Sequence, residues 1–222
     1  MPSGHRSNRL TRDRVLAAAL AIADSDGIEA LTMRRVAAEL TMGTMSVYYH
    51  VANKDEILAG IVDMVVGEME LPTGDGDWKS ELKRAALSAH EVLLRHSWAT
   101  GLLLTGTGVS QARVRQMDAI LGCLRGAGFS AEQTDHAYHA LDSHIVGFTL
   151  WLVGISAGMQ RLGQVINAFD LFDADELPFL AEHVQQHMRD RAPDEPGEFE
   201  FGLDLILDGL ERMLVAPGVS RG

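Results

Sequence analysis

Between Thr44 and Lys54 the chain sets two hydroxyls, a thioether, two phenols, an imidazole and an ammonium within eleven residues. At helical spacing Val47 and Val51 fall on one face and belong to the core. Thr44, Met45, Ser46, Tyr49 and His50 are left pointing outward, with Tyr48 near the boundary. These groups suit recognition rather than bond making, because no Ser-His-Asp or Cys-His arrangement accompanies them.

Other residues with potential chemistry are less organised. His183 and His187 stand four apart, and His136 and His139 three apart, but no carboxylate or cysteine completes a ligand set, so no metal is expected. Cys123 is the single cysteine and cannot form an intramolecular disulfide; its neighbours Ile120, Leu121 and Leu124 predict a buried, inert thiol. Gly106-Thr107-Gly108 lacks a third glycine at the right offset, no strand precedes it, and no Walker pattern is present. Neither a catalytic residue nor a cofactor is expected, so the chain reads as a non-enzyme.

The elements that hold residues 44–54 follow from periodicity. From Thr11, Val15, Ala18, Ala19, Ile22 and Ala23 predict a helix that stops at Asp26-Gly27, with Gly27 in a left-handed position. Thr32 caps a short helix whose apolar side is Met33, Val36, Ala37 and Leu40, with Arg34 and Arg35 facing away. Thr41-Met42-Gly43 makes a turn, and residues 44–50 form the next helix. Asn53 to Glu56 reads as a capping box opening a long helix through Ile57, Leu58, Ile61, Val62, Val65 and Met69. Short helix, glycine turn, short helix is a helix-turn-helix signature.

At these residues the chain resembles the DNA-binding domain of the tetracycline-repressor (TetR) family. The resemblance covers residues 10–65 and is carried by residues 27–32, Arg34, Val36-Ala37, Leu40, Val47-Tyr48, His50 and Asn53-Lys54. It implies that Tyr48 and Lys54 hold phosphates and that Thr44, Met45, Ser46, Tyr49 and His50 enter the major groove. Arg34 matches a position that touches a base or the backbone. Thr41 departs from the family, where glycine is commoner, and a left-handed backbone there disfavours threonine. With no Arg, Asn or Gln at positions 44–46 for a bidentate contact, half-sites are expected to be read partly through thymine methyls, with Arg34 giving the sharpest hydrogen-bonded contact.

Charge divides along the same line. The chain carries −12, but residues 1–54 carry +2 and the remainder −14. A positive head on a negative body orients approach to DNA, while acidic bodies also simply aid solubility. Residues 1–10 form a basic arm, able to reach DNA or to act as a plain flexible terminus; 11–70 form the head, 71–77 a linker rich in glycine and aspartate, and 78–222 the body. No apolar run approaches the ~20 residues of a membrane helix, so no membrane partner is expected. No export signal follows the basic start, and the cytoplasm is the expected compartment.

The body predicts an all-α fold. A helix from Trp78 to His96 is followed by a short one near residues 98–104, another ending near Gly126-Ala127-Gly128, and a long one capped by Ser130 and Gln133 and running to about Gly158. That long helix has a core stripe, Tyr138, Leu141, Ile145, Phe148, Leu152, Ile155 and Met159, and a small-residue stripe, Ala140, Ser143, Gly147, Gly154 and Gly158. The last helix, residues 199–214, brings Gly202, Ile206, Gly209 and Met213. Two such faces predict a four-helix homodimer interface, the alternative being that both are internal; a two-fold dimer presents two reading helices to a palindromic operator, about 34 Å or a multiple apart. Residues 163–196 read as a lid or a surface connection with a short helix near 177–189.

The body more weakly resembles the tetracycline-repressor-like C-terminal domain. That implies a pocket for a small-molecule effector, for which His90, Leu94, Trp98, Met117, Leu121, His144, Phe148 and Trp151 are candidates. The tetracycline-holding arrangement cannot be placed here, so the effector is left unnamed. The resulting expectation is a homodimeric regulator, a repressor released by its ligand. An activator of the same fold and a helical carrier or enzyme without DNA binding are the alternatives.

Overall fold

A computed structural model describes residues 10–105, 110–162, 173–188 and 197–215. Among these the chain is all helix and turn. The head holds α1 (Arg12–Asp26), a single 3₁₀ turn (Ile28–Ala30), α2 (Met33–Glu39), α3 (Thr44–Tyr48) and α4 (Lys54–Gly67). The body holds α5 (Trp78–Arg95), α6 (Ser97–Leu104), α7 (Gln111–Gly126), α8 (Ala131–Leu162), α9 (Pro178–Met188) and α10 (Glu198–Val215).

The helix starts are fixed by side chains that satisfy free backbone N–H groups. Thr11 and Thr32 accept from the N–H groups of Arg14 and Arg35, and Asn53 accepts from Glu56 at 2.8 Å. The Glu56 carboxylate reaches back to the N–H of Ala52, one residue before the cap. At α8 the box closes in both directions: Ser130 Oγ accepts from Gln133 N–H and Gln133 Oε1 from Ser130 N–H. Gly27 has φ 82° and ψ 163°, so it is positive in φ but extended rather than left-handed helical, a region essentially reserved for glycine.

Two apolar cores result. Val15, Leu16, Ile22, Leu31, Val36, Val47, Val51, Ile57 and Ile61 fill the head. Val65, Leu82, Leu93, Leu124, Phe129, Leu203 and Leu207 belong to the body. Helices α1 and α4 approach closely at Gly60, where a Cβ would come within 2.6 Å of Leu16 Cδ2. Leu10, the last residue of the expected arm, is buried against the head; residues 1–9 lie outside the described residues. Leu20, Trp98 and Leu102 pack against both cores. The linker is pinned by the buried carboxylate of Glu81, which accepts from Thr73 Oγ1 and from the N–H groups of Gly74 and Gly76.

Candidate nucleic-acid interface

Helix α2 ends in a reverse turn that sets the angle of α3. Met42 N–H bonds to Ala37 O and Thr41 N–H to Ala38 O, the paired pattern that requires a left-handed residue after the helix. That residue is Thr41, with φ 56°, the one non-glycine residue with positive φ among those described. Helix α3 is shorter than expected, ending at Tyr48, with Tyr49 and His50 continuing as a turn. Val47 and Val51 are buried and anchor it from below.

The outward side chains are set by that anchoring. Met45 is 79% exposed and Tyr49 87%, values at which neither contributes to the core. Ser46 and Tyr48 are also exposed, Thr44 and His50 are half-buried, and Tyr49 packs edge-on against His50. Together Leu10, Met42, Met45, Ser46, Tyr49 and His50 line one open hollow on the head. Arg34 is exposed on α2, whereas its neighbour Arg35 is tied to Asp26 at 2.5 Å. Lys54 occupies the first position of α4, beside N–H groups that attract an anion, an unfavourable place for a cation unless an anion is shared with it.

In the body, four of the eight candidate effector residues come together. His90, His144, Phe148 and Trp151 form a chain of ring contacts around Phe199, with His90 stacked on Phe199 at 3.8 Å. Thr149 donates its hydroxyl to Ile145 O, so it accepts from His90 Nδ1, and His144 Nε2 donates to Phe199 O. Burial first, then the neighbouring His144, holds the His90 imidazole below its ordinary pKa, which favours the neutral ring. Leu94 and Met117 are exposed and Leu121 packs on the core. Trp98 stands apart from the cluster, because its indole N–H donates to Asp24 Oδ1 of the head.

A small cavity of about 20 Å³ lies elsewhere in the body, room for one or two waters. None of the eight candidates lines it. Its walls are Met69, Ala89, Leu93, Leu103, Ile120, Leu141, Ile145 and Val146, with four polar groups: Arg113, Gln116, Tyr138 and Asp142. Arg113 links Asp142 and Gln116 at 2.5 and 2.6 Å, and the Gln116 amide reaches Met69 Sδ at 3.0 Å. Burial raises the Tyr138 hydroxyl above its ordinary pKa. The available signal was a pair of polar residues three apart, Arg113 and Gln116, on a helix whose other inward residues are apolar.

The small-residue stripe of α8 faces solvent in the single chain: Ala140, Ser143, Gly147 and Gly154 are all exposed. Helix α10 differs from expectation. Gly202 faces inward, its missing side chain making room for His144, since a Cβ there would lie 2.6 Å from the ring. Ile206 packs on the body core, Gly209 is half-buried and Met213 is 42% exposed. The outward apolar residues of α10 are Phe201 and Leu205 together with the expected Met213. Cys123 is buried and its thiol is pushed up in pKa by that burial. Among the described residues no three His, Cys, Asp or Glu side chains gather as a metal site, and no helix is long and apolar enough to cross a membrane.

A short helix anchored by buried valines on a head of four helices, α1 to α4, joined to a larger helical body, defines a helix-turn-helix DNA-binding regulator. The profile "Bacterial regulatory proteins, tetR family" matches residues 15–61, and "Tetracyclin repressor-like, C-terminal domain" matches residues 72–214. The chain belongs to the TetR family of transcriptional regulators. It is 33% identical to the HTH-type transcriptional repressor DrrR1 of Streptomyces coeruleorubidus, covering 97% of this chain and 82% of that one. Among solved structures it is similar to ActR of Streptomyces coelicolor in complex with actinorhodin (26% identity, TM-score 0.72, 92% and 96% covered). It is also similar to BioQ, a Mycobacterium smegmatis protein, with its double-stranded DNA operator (25% identity, TM-score 0.63, 92% and 99% covered).

Proposed function

We propose that the chain is a cytoplasmic repressor that binds a two-fold symmetric operator as a homodimer and is released when a small molecule enters the body. The observation that carries this reading is the exposure of Met45, on a helix anchored by Val47, and of Tyr49 in the turn that follows it. Large apolar side chains held out from a firmly seated helix serve a partner, and the thymine methyls of a major groove fit Met45 and Thr44. Arg34, Ser46, Tyr49 and His50 supply polar contacts, and Tyr48 and Lys54 grip the flanking phosphates. Such a face is short and needs a second copy. The exposed stripe Ala140, Ser143, Gly147 and Gly154 on α8, with Phe201, Leu205 and Met213 on α10, offers the helices for that pairing.

The effector site favoured by the geometry is the cavity lined by Arg113, Gln116, Tyr138 and Asp142, an apolar space with a few convergent polar groups. A drug-sized molecule needs roughly 300 Å³, so entry and rearrangement are one event. A ligand that binds only the rearranged body draws the population toward it, and roughly 100-fold preference gives about 2.7 kcal/mol of coupling. Selecting duplexes from a random pool with the full chain, then footprinting the product, tests the reading. A symmetric protected site whose affinity falls steeply with salt is expected. Failure to enrich any duplex sinks the reading, and lower transcript levels of the adjoining gene on deletion would make the protein an activator.

A further inference from the structure

Asp24 sits in the last full turn of α1, on the head, and its Oδ1 accepts two hydrogen bonds from the body: His96 Nδ1 and Trp98 Nε1, both at 2.7 Å. The His96 side chain is 10% exposed and Asp24 reaches it from the rim at 33%. On its other side His96 Nε2 lies 3.6 Å from Glu68 Oε1, at the end of α4, and Arg95 holds Glu68 Oε2 at 3.0 Å. The elbow between α5 and α6 therefore touches both helices that carry the head. His96 is non-helical there, with φ −113° and ψ 55°.

Helix α6 also serves the cavity. Leu103 lines it, while Trp98 and Leu102 pack against both apolar cores. Thr100, fully buried on the same helix, leaves its hydroxyl without a hydrogen-bond partner among the described residues. A buried orphan hydroxyl disfavours the seat it occupies. The eight-residue helix α6 is thus held at one end by a shared carboxylate oxygen, exposed to a cavity near the other, and incompletely satisfied between.

We propose that Asp24 is a positioning residue: a latch that fixes the pose of the head on the body, and so the spacing of the two reading helices in a dimer. This rests on the regulator reading above. An occupant that displaces Leu103 moves α6, and two hydrogen bonds to one oxygen do not survive a shift of an ångström or more. The head then loses its fixed pose without unfolding.

The test uses the full chain and duplexes built from the half-site that it selects, at the selected spacing and with one to three base pairs added or removed. Wild type prefers one spacing. Asp24→Ala reduces that preference about tenfold, the scale of a lost hydrogen bond to a charged group; Trp98→Phe, which keeps the ring and loses the N–H, reduces it less; Asp24→Asn, which still accepts, retains most of it. A merely destabilised head weakens binding to all duplexes alike, so an unchanged preference in Asp24→Ala overturns the latch. A second measurement needs no DNA. Spin labels at Ser46→Cys and Glu132→Cys in a Cys123→Ser background, diluted with unlabelled chains, report the distance from head to body. Asp24→Ala broadens that distribution, and an equally narrow one overturns the latch whatever the DNA result. Absence of duplex selection by wild type counts against the regulator reading alone.

Discussion

Asp63 Oδ1 accepts the backbone N–H of Ala112 at 2.6 Å, so the first turn of α7 is capped by a carboxylate from α4. Ser110 Oγ accepts from Arg113 N–H in the same turn. Both bonds satisfy N–H groups that no intrahelical carbonyl can reach, and the carboxylate also meets the positive end of the helix dipole. Helix α7 then runs on to Arg113 and Gln116 in the cavity wall. The cavity wall and α4 of the head are joined at this cap.

Removing that carboxylate, Asp63→Ala, is expected to lower stability by about 1–2 kcal/mol, the value of a cap with a charged acceptor. Asp63→Asn keeps an acceptor and recovers most of the loss. Denaturant midpoints at constant slope measure both. Equal midpoints for wild type and Asp63→Ala would show that water replaces the cap at no cost.

Thr41 carries φ 56° at the position after α2 where glycine is the unstrained choice. A left-handed backbone costs an L-residue about 1–2 kcal/mol, and glycine returns part of that through its greater freedom when unfolded. Thr41→Gly is therefore expected to stabilise the head by about 0.5–1 kcal/mol. The measurement is the thermal midpoint of the full chain, and a lower midpoint for glycine contradicts the strain.

What could be read in advance follows a physical division. Thr32, Asn53, Ser130 and Gln133 cap helices within four residues of themselves, so the bond is legible wherever the pattern is. Which side of residues 44–50 turns outward was legible for the same reason, Val47 and Val51 being buried beneath it. Arg113 meeting Asp142 across 29 residues, or Trp98 meeting Asp24 across 74, depends on how helices settle against one another. Local periodicity is silent on that. The family resemblance drew Trp98 toward an effector set, and helical spacing gave Gly202 to a dimer face, although its missing side chain admits His144.

Glu81 carries a pH signature. The Gly74 N–H, then the Thr73 hydroxyl and the Gly76 N–H, hold its carboxyl below the ordinary value of 4.5 against the opposing effect of burial. A carboxyl with a lowered folded pKa contributes stability that is complete above its unfolded value and is lost as pH falls through the folded one. Glu81→Gln removes the charge that those donors favour. The stability difference between wild type and Glu81→Gln is expected to be largest near neutrality and to shrink as pH drops from about 5 to 3. Denaturation midpoints across that range measure it, and a constant difference shows the charge to be irrelevant to the linker.

On the head, the two kinds of contact are separable by substitution. If Lys54 holds a phosphate as proposed, Lys54→Ala is expected to lower affinity for every duplex alike and to flatten the slope of log affinity against log salt by about one. Met45→Ala leaves the charge untouched. Its side chain is 79% exposed, so its loss should leave the thermal midpoint unchanged while weakening binding only where it met a thymine methyl. Replacing thymine by uracil, one half-site position at a time, locates that methyl. At the Met45 position uracil should weaken wild type and leave Met45→Ala nearly indifferent, since the contact is already gone. Identical affinities for thymine and uracil at every position would exclude methyl reading and leave Arg34, Ser46 and Tyr49 to account for the selected sequence.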